Sequence, residues 1–208
     1  MGLYFFTYNL VNLVCWSYML FTVVDHLSNK FYFSLAFQTM DVLRIIQSIA
    51  ILEPLHALIL NTSVLNTLMQ VASRLLIVWG PHYVWQTEDI RMHFSYSVLV
   101  SAWSVAEIIR YAFYCFKELD YIPYPLTWVR YTGFIVLYPI GVSMEVITIY
   151  LVTLQKHWFN PILYAIMASY VPGLFVLYTY MLRQRNKALG VKSKIEKDSV
   201  RKSEKKTE

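Results

Sequence analysis

Charged residues are scarce in this chain of 208 residues, which is 57% hydrophobic and 17% aromatic but only 15% charged. Average soluble domains carry about 25% charged residues. The apolar residues fall in long runs, and the mean hydropathy is +0.44. This balance excludes an ordinary soluble globule and a disordered protein, and it indicates a polytopic membrane protein.

Cysteine is almost absent, and no cysteine motif is present. Cys15 and Cys115 both lie in apolar stretches, so the chain is not a disulfide scaffold. A cysteine phosphatase needs an arginine six residues after its cysteine, but Phe21 and Tyr121 stand at those positions. Walker and dinucleotide-binding glycine motifs are also missing, which argues against a nucleotide-binding enzyme.

Histidine-rich metal motifs are missing as well. Glu53 and His56 form one Glu-x-x-His element, whereas di-iron bundles use two such elements with further carboxylates. The His boxes of membrane desaturases and hydroxylases do not occur. We therefore expect no metal site.

The positive charge is confined to the C-terminal end. Residues 183–208 hold ten basic and four acidic side chains, a net charge of +6, while the other 182 residues carry −1. We interpret residues 183–208 as a solvated basic tail and residues 1–182 as the membrane domain. No folded basic face accompanies the tail, so nucleic acid is not an expected partner.

Six segments are long and apolar enough to cross a bilayer, which takes about 20 residues. They are residues 4–24, 42–60, 64–85, 96–116, 126–154 and 161–182. The second and third are the weakest because each carries charge. The predicted fold is all-α: a polytopic membrane protein with six transmembrane helices around a polar interior.

The basic tail also sets the predicted orientation. Cytoplasmic segments carry the excess of lysine and arginine, so the tail is expected in the cytoplasm, and six crossings place the N-terminus on the same side. The chain ends in Lys205-Lys206-Thr207-Glu208, which resembles the dilysine retrieval signal of endoplasmic-reticulum membrane proteins. We therefore expect a multi-pass protein of that membrane with both termini cytoplasmic.

Ionisable residues recur inside these apolar segments, where each is a candidate functional residue. Glu107 and Arg110 lie three positions apart on one helix, a spacing typical of a neutralising pair. For Arg74 two interpretations are open: it pairs with Glu53 on another helix, or it lines a cavity. So many polar groups indicate a shared polar interior.

The fifth segment places Tyr131, Tyr138 and Glu145 seven residues apart. Seven steps of a helix bring side chains to within about 20° of one another, so all three are predicted to share a face. Pro139 and Gly141 allow an irregular helix between Tyr138 and Glu145. A carboxyl and a phenol can together eliminate water beside a carbonyl, but the spacing alone does not select that reaction.

Two stretches in this region resemble a known family, the membrane 3-hydroxyacyl-CoA dehydratases, also called protein tyrosine phosphatase-like proteins. They are Trp103-Ser104-x-x-Glu107-Ile108-Ile109-Arg110-Tyr111-x-Phe113-Tyr114 and Trp128-x-Arg130-Tyr131-Thr132-x-Phe134-x-x-Leu137-Tyr138-Pro139-x-Gly141-Val142-x-x-Glu145. Further matches upstream and downstream extend the resemblance over nearly the whole chain.

The resemblance implies a six-helix protein that removes water from a (3R)-3-hydroxyacyl-CoA to give the trans-2-enoyl-CoA, a step of very-long-chain fatty acid elongation. It implies Tyr138 and Glu145 as the catalytic pair, with base and acid left open. Site-supporting or substrate-binding roles fall to Arg74, Glu107, Arg110 and Tyr131. No cofactor is expected, because the thioester itself acidifies C2.

The partners implied are a long-chain 3-hydroxyacyl-CoA, membrane lipid and other elongation enzymes. The alternative is a non-catalytic membrane scaffold for those enzymes, or a small transporter. Transporters commonly contain inverted repeats with broken helices, and no repeat is visible here.

Overall fold

The computed structural model describes residues 2–29, 34–85, 87–155 and 157–204, and this part of the chain is helical without any β-strand. The predicted all-α class is therefore confirmed. The elements are α1 (Gly2–Ser28), α2 (Leu35–Ile49), α3 (Leu52–Ile59), α4 (Val64–Trp79), a π-helical turn (Gly80–Val84), α5 (Glu88–Met92), α6 (Phe94–Glu118), α7 (Tyr124–Thr132), α8 (Phe134–Thr153) and α9 (Asn160–Glu204).

Within the described ranges, five helical segments are long and apolar enough to cross a membrane, which makes the chain a multi-pass membrane protein. They are Gly2–Ser28, Leu35–Ile59, Phe94–Glu118, Phe134–Thr153 and Asn160–Gly190. The remaining predicted crossing, residues 64–85, consists of α4, which has 16 residues, and the π-helical turn that continues it. The count of six crossings stays a prediction.

The helices alternate in direction. At one end of the bundle, the hydroxyl of Tyr4, at the start of α1, is hydrogen-bonded to the Nε2 atom of His56 near the end of α3 (3.0 Å). At the other end of the bundle, Thr39 of α2 is hydrogen-bonded to Tyr96 at the start of α6 (2.9 Å). Because α4 follows α3 after a short turn and packs back against α2 and α3, it runs between the same two ends.

The middle of the bundle is occupied by α6, which packs against α1 on one side and α8 on the other. Trp16 and Met19 of α1, Leu99 of α6 and Ile149 of α8 are almost completely buried in this core. Among lipid chains that are themselves apolar, such contacts stabilise the fold mainly through close packing. The central helix consequently has a fixed position relative to α8.

Two predicted crossings are interrupted. The second is divided into α2 and α3 at Ala50–Ile51, where Pro54 has no N–H to donate to the carbonyl of Ala50. The fifth is divided into α7 and α8 at Gly133, but the break is slight, because Gly133 keeps helical dihedral angles (φ −58°, ψ −28°) and its N–H donates to the Val129 carbonyl oxygen at 2.8 Å. By contrast, α8 remains helical across Pro139.

The last helix is longer than predicted. The segment expected over residues 161–182 is the first part of α9, which runs through Pro172 and continues to Glu204. The candidate retrieval signal, residues 205–208, lies outside the described residues.

A network of buried ion pairs joins α3, α4 and α6. Arg110 donates two hydrogen bonds to the carboxylate of Glu53 (2.5 and 2.8 Å). It also forms an ion pair with Glu107, with 2.6 Å between nitrogen and oxygen. Arg74 binds the other oxygen of Glu107. Tyr111 donates a hydrogen bond to Glu53 (2.5 Å). The predicted Glu107–Arg110 pair is confirmed, whereas the partner of Arg74 is Glu107 and not Glu53.

We expect Glu53→Gln to lower the free energy of unfolding by about 3 kcal/mol, because it leaves the buried charge of Arg110 only partly compensated. Denaturation of the purified protein in micelles measures this loss. The matched control is Asp41→Asn, which breaks the pair between Asp41 and Arg44; the Asp41 side chain is 81% exposed, so no measurable change is expected. Equal losses in both variants would contradict the structural role of the network.

Candidate active site

A cavity of about 550 Å³ lies between α4, α6, α8 and α9. This is within the usual size of small-molecule sites, which enclose roughly 300–1,000 Å³. Its polar lining comes from Gln70, Ser73, Arg74, Glu107, Arg110, Arg130, Tyr138, Glu145, Ser169 and Tyr170. Its apolar lining includes Met69, Leu76, Leu137, Ile166, Leu174, Leu177 and Met181. The predicted polar interior is therefore a partly open cavity beside the central helix.

Helix α8 contributes both Tyr138 and Glu145 to this cavity. Their spacing of seven residues is two helical turns, and because α8 is unbroken between them, both face the same side. The predicted common face of this pair is confirmed. One small substrate inside the cavity can contact both side chains.

The carboxyl group of Glu145 is held by a hydrogen bond on each oxygen. The indole Nε1 of Trp103, on α6, donates to Oε1 at 3.2 Å. The hydroxyl of Tyr170, on α9, donates to Oε2 at 2.9 Å. Glu145 is only 5% exposed, so these two donors take the place of water. Donors to both oxygens fix the orientation of the carboxyl group and stabilise its ionised form.

Tyr138 is partly buried, and its hydroxyl makes no hydrogen bond with any residue in the described part of the chain. It thus differs from Tyr170, whose hydroxyl is engaged by Glu145. A tyrosine hydroxyl both donates and accepts hydrogen bonds, so Tyr138 retains this capacity for a molecule in the cavity.

The ion network reaches the site through Arg74. Its guanidinium carbon lies 5.5 Å from the centre of the Trp103 ring, whose Nε1 donates to Glu145. Arg74, Glu107 and Arg110 all contribute to the cavity wall. Of the two interpretations of Arg74, the lining of a cavity is therefore correct, and its ion pair within the same wall is with Glu107.

Tyr131 is the one predicted site residue that the structure places apart from the others. It belongs to α7, before the interruption at Gly133, and its ring packs edge-on against Phe113 at 5.8 Å between centroids. It is not among the residues that line the cavity, whereas its neighbour Arg130 is. The spacing of seven therefore does not bring Tyr131 into the cavity.

Trp103, Tyr170 and Arg130 are site residues that spacing did not identify. Trp103 and Arg130 occur in the two stretches that carried the family resemblance, and Tyr170 lies in the last predicted crossing. No helical periodicity relates α9 or α6 to α8. In the part of the chain that the structure describes, no three His, Cys, Asp or Glu side chains come together as a metal site.

Fold and site together define a multi-pass helical membrane protein with a carboxyl group and a phenol in one buried cavity. The family model described as "Protein tyrosine phosphatase-like protein, PTPLA" matches residues 47–191. The chain belongs to this family, as the resemblance of its motifs predicted.

Several curated relatives share most of its length. The "Probable very-long-chain (3R)-3-hydroxyacyl-CoA dehydratase" of Schizosaccharomyces pombe is 42% identical over 72% of this chain and 74% of the relative. The corresponding dehydratase of Caenorhabditis elegans is 36% identical over 92% of this chain and 96% of the relative. Human "Very-long-chain (3R)-3-hydroxyacyl-CoA dehydratase 2" is 36% identical over 89% of this chain and 80% of the relative. No solved structure matches the chain.

Proposed function

We propose that this protein is a hydro-lyase that removes water from a long-chain (3R)-3-hydroxyacyl-CoA to give the trans-2-enoyl-CoA. Family membership and the names of the relatives support this activity. The observation that carries the proposal is the presence of Tyr138 and Glu145 on one face of α8, in one cavity. The reaction serves very-long-chain fatty acid elongation.

Glu145 is the proposed base. The reaction breaks the C2–H bond, whose proton is acidified by the adjacent thioester, and the carboxylate of Glu145 accepts this proton. The hydrogen bonds from Trp103 and Tyr170 support this role, because they orient the carboxylate while leaving further lone pairs on each oxygen.

Tyr138 is the proposed acid. As the C3–O bond breaks, the Tyr138 hydroxyl transfers its proton to the departing oxygen, and water leaves with the bonding electron pair while the C2–C3 double bond forms. The proton that Glu145 took from C2 then passes to the tyrosinate, which restores the carboxylate and the phenol. A hydroxyl without a partner in the described residues is available for this donation, which favours this assignment over the reverse one.

A supporting role is proposed for the ion pairs of Arg74, Glu107 and Arg110, which form part of the cavity wall and do not act on the bonds that break. Their pairing leaves little free charge beside the thioester. Arg130 lines the same cavity from α7, near the end of the bundle that we assign to the cytoplasm, where it suits an anionic group of CoA. Tyr131 is proposed to act only indirectly, through its contact with Phe113.

The location and partners are part of the same proposal. We assign the protein to the endoplasmic-reticulum membrane with both termini in the cytoplasm, residues 1–182 as the membrane domain and residues 183–208 as a basic cytoplasmic tail. Other elongation enzymes and membrane lipid are the proposed partners, and no cofactor is required. The competing function is a non-catalytic scaffold, which would not need the carboxyl group of Glu145.

Tyr138→Phe and Glu145→Gln are each expected to lower turnover of a long-chain 3-hydroxyacyl-CoA at least about 100-fold, the typical contribution of a positioned acid or base. Product formation in microsomes containing each variant measures the effect. The control is Tyr164→Phe, which removes a hydroxyl from a tyrosine that is 53% exposed on α9. Near-normal turnover in both site variants would support the scaffold.

Tyr170→Phe is expected to lower kcat about tenfold or more with little change in KM, because it removes one hydrogen bond to a charged group, worth about 1.5–3 kcal/mol. Trp103→Phe removes the other donor and is expected to behave similarly. Steady-state kinetics with purified protein separate kcat from KM. A rise in KM at unchanged kcat would mean that these residues contact substrate instead of positioning Glu145.

An epitope tag inserted after Lys192 is expected to be cleaved by protease added to sealed microsomes, because the basic tail is assigned to the cytoplasm. Immunoblotting for the tag measures this. Protection of the tag would reverse the assigned orientation.

Replacement of Lys205 and Lys206 by serine is expected to release the protein from the endoplasmic reticulum, whereas the same change at Lys192 and Lys194 is not. Microscopy measures the location of both variants.

A further inference from the structure

The cavity has an incomplete wall where α4 and α9 face each other. Both helices line it, but they make almost no direct packing contact. Instead, α4 packs against α2, α3 and the π-helical turn, and α9 packs against α7 and α8. The helices on either side of this gap are therefore held in place by other parts of the bundle.

Small residues border the gap. Ala72 of α4 and Ser169 of α9 both line the cavity and are both exposed, and neither side chain is large enough to fill the space between the two helices. Gly173 lies one turn further along α9, and a Cβ atom there would be 4.0 Å from the terminal methyl group of Met69. Met69 therefore reaches α9 at the level of Gly173, and the gap lies one turn away, between Ala72 and Ser169.

The surface outside the gap is apolar. Leu65 and Leu68 on α4 are more than half exposed, and Val176, seven residues after Ser169 and so on the same face of α9, is 49% exposed. Ala72 lies near the middle of the segment formed by α4 and the π-helical turn, and Ser169 is nine residues from the start of α9. Since α9 begins with a membrane-crossing segment, the gap opens toward hydrocarbon and not toward water.

Tyr138 and Glu145, on α8, define the polar side of the cavity. The lining from α4 and α9 is mixed: it includes Met69, Ala72, Leu76, Ile166 and Gly173, and also the polar residues Gln70, Ser73, Arg74, Ser169 and Tyr170. A volume of about 550 Å³ is that of a drug-sized ligand, which is smaller than an acyl-CoA with a very long acyl chain.

We propose that the gap between α4 and α9 is the passage for the substrate's hydrocarbon tail. The thioester and the 3-hydroxyl group occupy the polar side of the cavity, and the remaining acyl chain passes between Ala72 and Ser169 into the bilayer. This inference rests on the proposed function and adds where the tail lies. Chain length is then not limited by the size of the cavity, because most of the chain stays in lipid.

The test enlarges the border residues. In Ala72→Phe and Ser169→Phe, kcat/KM for an eighteen-carbon 3-hydroxyacyl-CoA is expected to fall about tenfold or more relative to that for four-carbon 3-hydroxybutyryl-CoA. The matched control is Ala168→Phe, an equal enlargement at an exposed neighbour that does not line the cavity; it should leave this ratio unchanged. Melting temperatures of all three variants report whether each is folded.

The outcomes separate this inference from the proposed function. If the wild-type protein turns over both substrates and the variants lower both equally, or lower neither, the tail passage is overturned while the dehydratase activity stands. If the wild-type protein turns over neither substrate, the proposed function fails and the passage with it.

A second measurement does not depend on substitutions. An eighteen-carbon 3-hydroxyacyl-CoA with a diazirine near its methyl end is photolysed with the wild-type protein in lipid vesicles, and the labelled peptides are mapped. A second probe, with its diazirine near the middle of the acyl chain, is expected to label α4 and α9 near Ala72 and Ser169, whereas the probe labelled near its methyl end is expected to react mainly with lipid. Labelling confined to α6 and α8, or to another face of the bundle such as α1, would overturn the passage.

Discussion

Two hydrogen bonds to the carboxyl group of Glu145 are the interaction on which the site depends. A carboxylate among lipid chains has no water to solvate it, so its donors must come from the protein. Trp103 supplies one from α6 and Tyr170 supplies the other from α9. Three helices must therefore keep their relative positions for this group to stay correctly oriented. The packing of α8 between α6 and α9 meets this requirement.

The ion network beside the site obeys the same constraint on a larger scale. Arg110 lies between two carboxylates, and Arg74 binds one of them while its guanidinium stacks near Trp103. Each charge has a partner of opposite sign, which offsets part of the cost of burying it. The result is a polar wall that couples α3, α4 and α6 to the residue that holds Glu145. The open side of the cavity, between α4 and α9, contains none of these pairs.

Relations within one helix were predictable, and relations between helices were not. The face shared by Tyr138 and Glu145 and the pair formed by Glu107 and Arg110 follow from the geometry of a single α-helix. The partner of Arg74 depends on how α4 is rotated and shifted against α6, which no periodicity encodes. Tyr131 shows the limit of the same argument, because its ring packs against Phe113 of α6 and does not line the cavity, and that contact depends on how two helices meet.

Hydrophobic runs of bilayer length, by themselves, determined that this protein is a helical membrane protein, since a backbone in hydrocarbon must satisfy its own hydrogen bonds. Its motifs likewise determined the family. Only the tertiary structure decided which side chains surround the cavity, that Tyr170 and Trp103 hold Glu145, and that the wall is open between α4 and α9. Those features arise from the packing of helices far apart in the chain, where side-chain volume and burial of charge, and not local backbone geometry, select the arrangement.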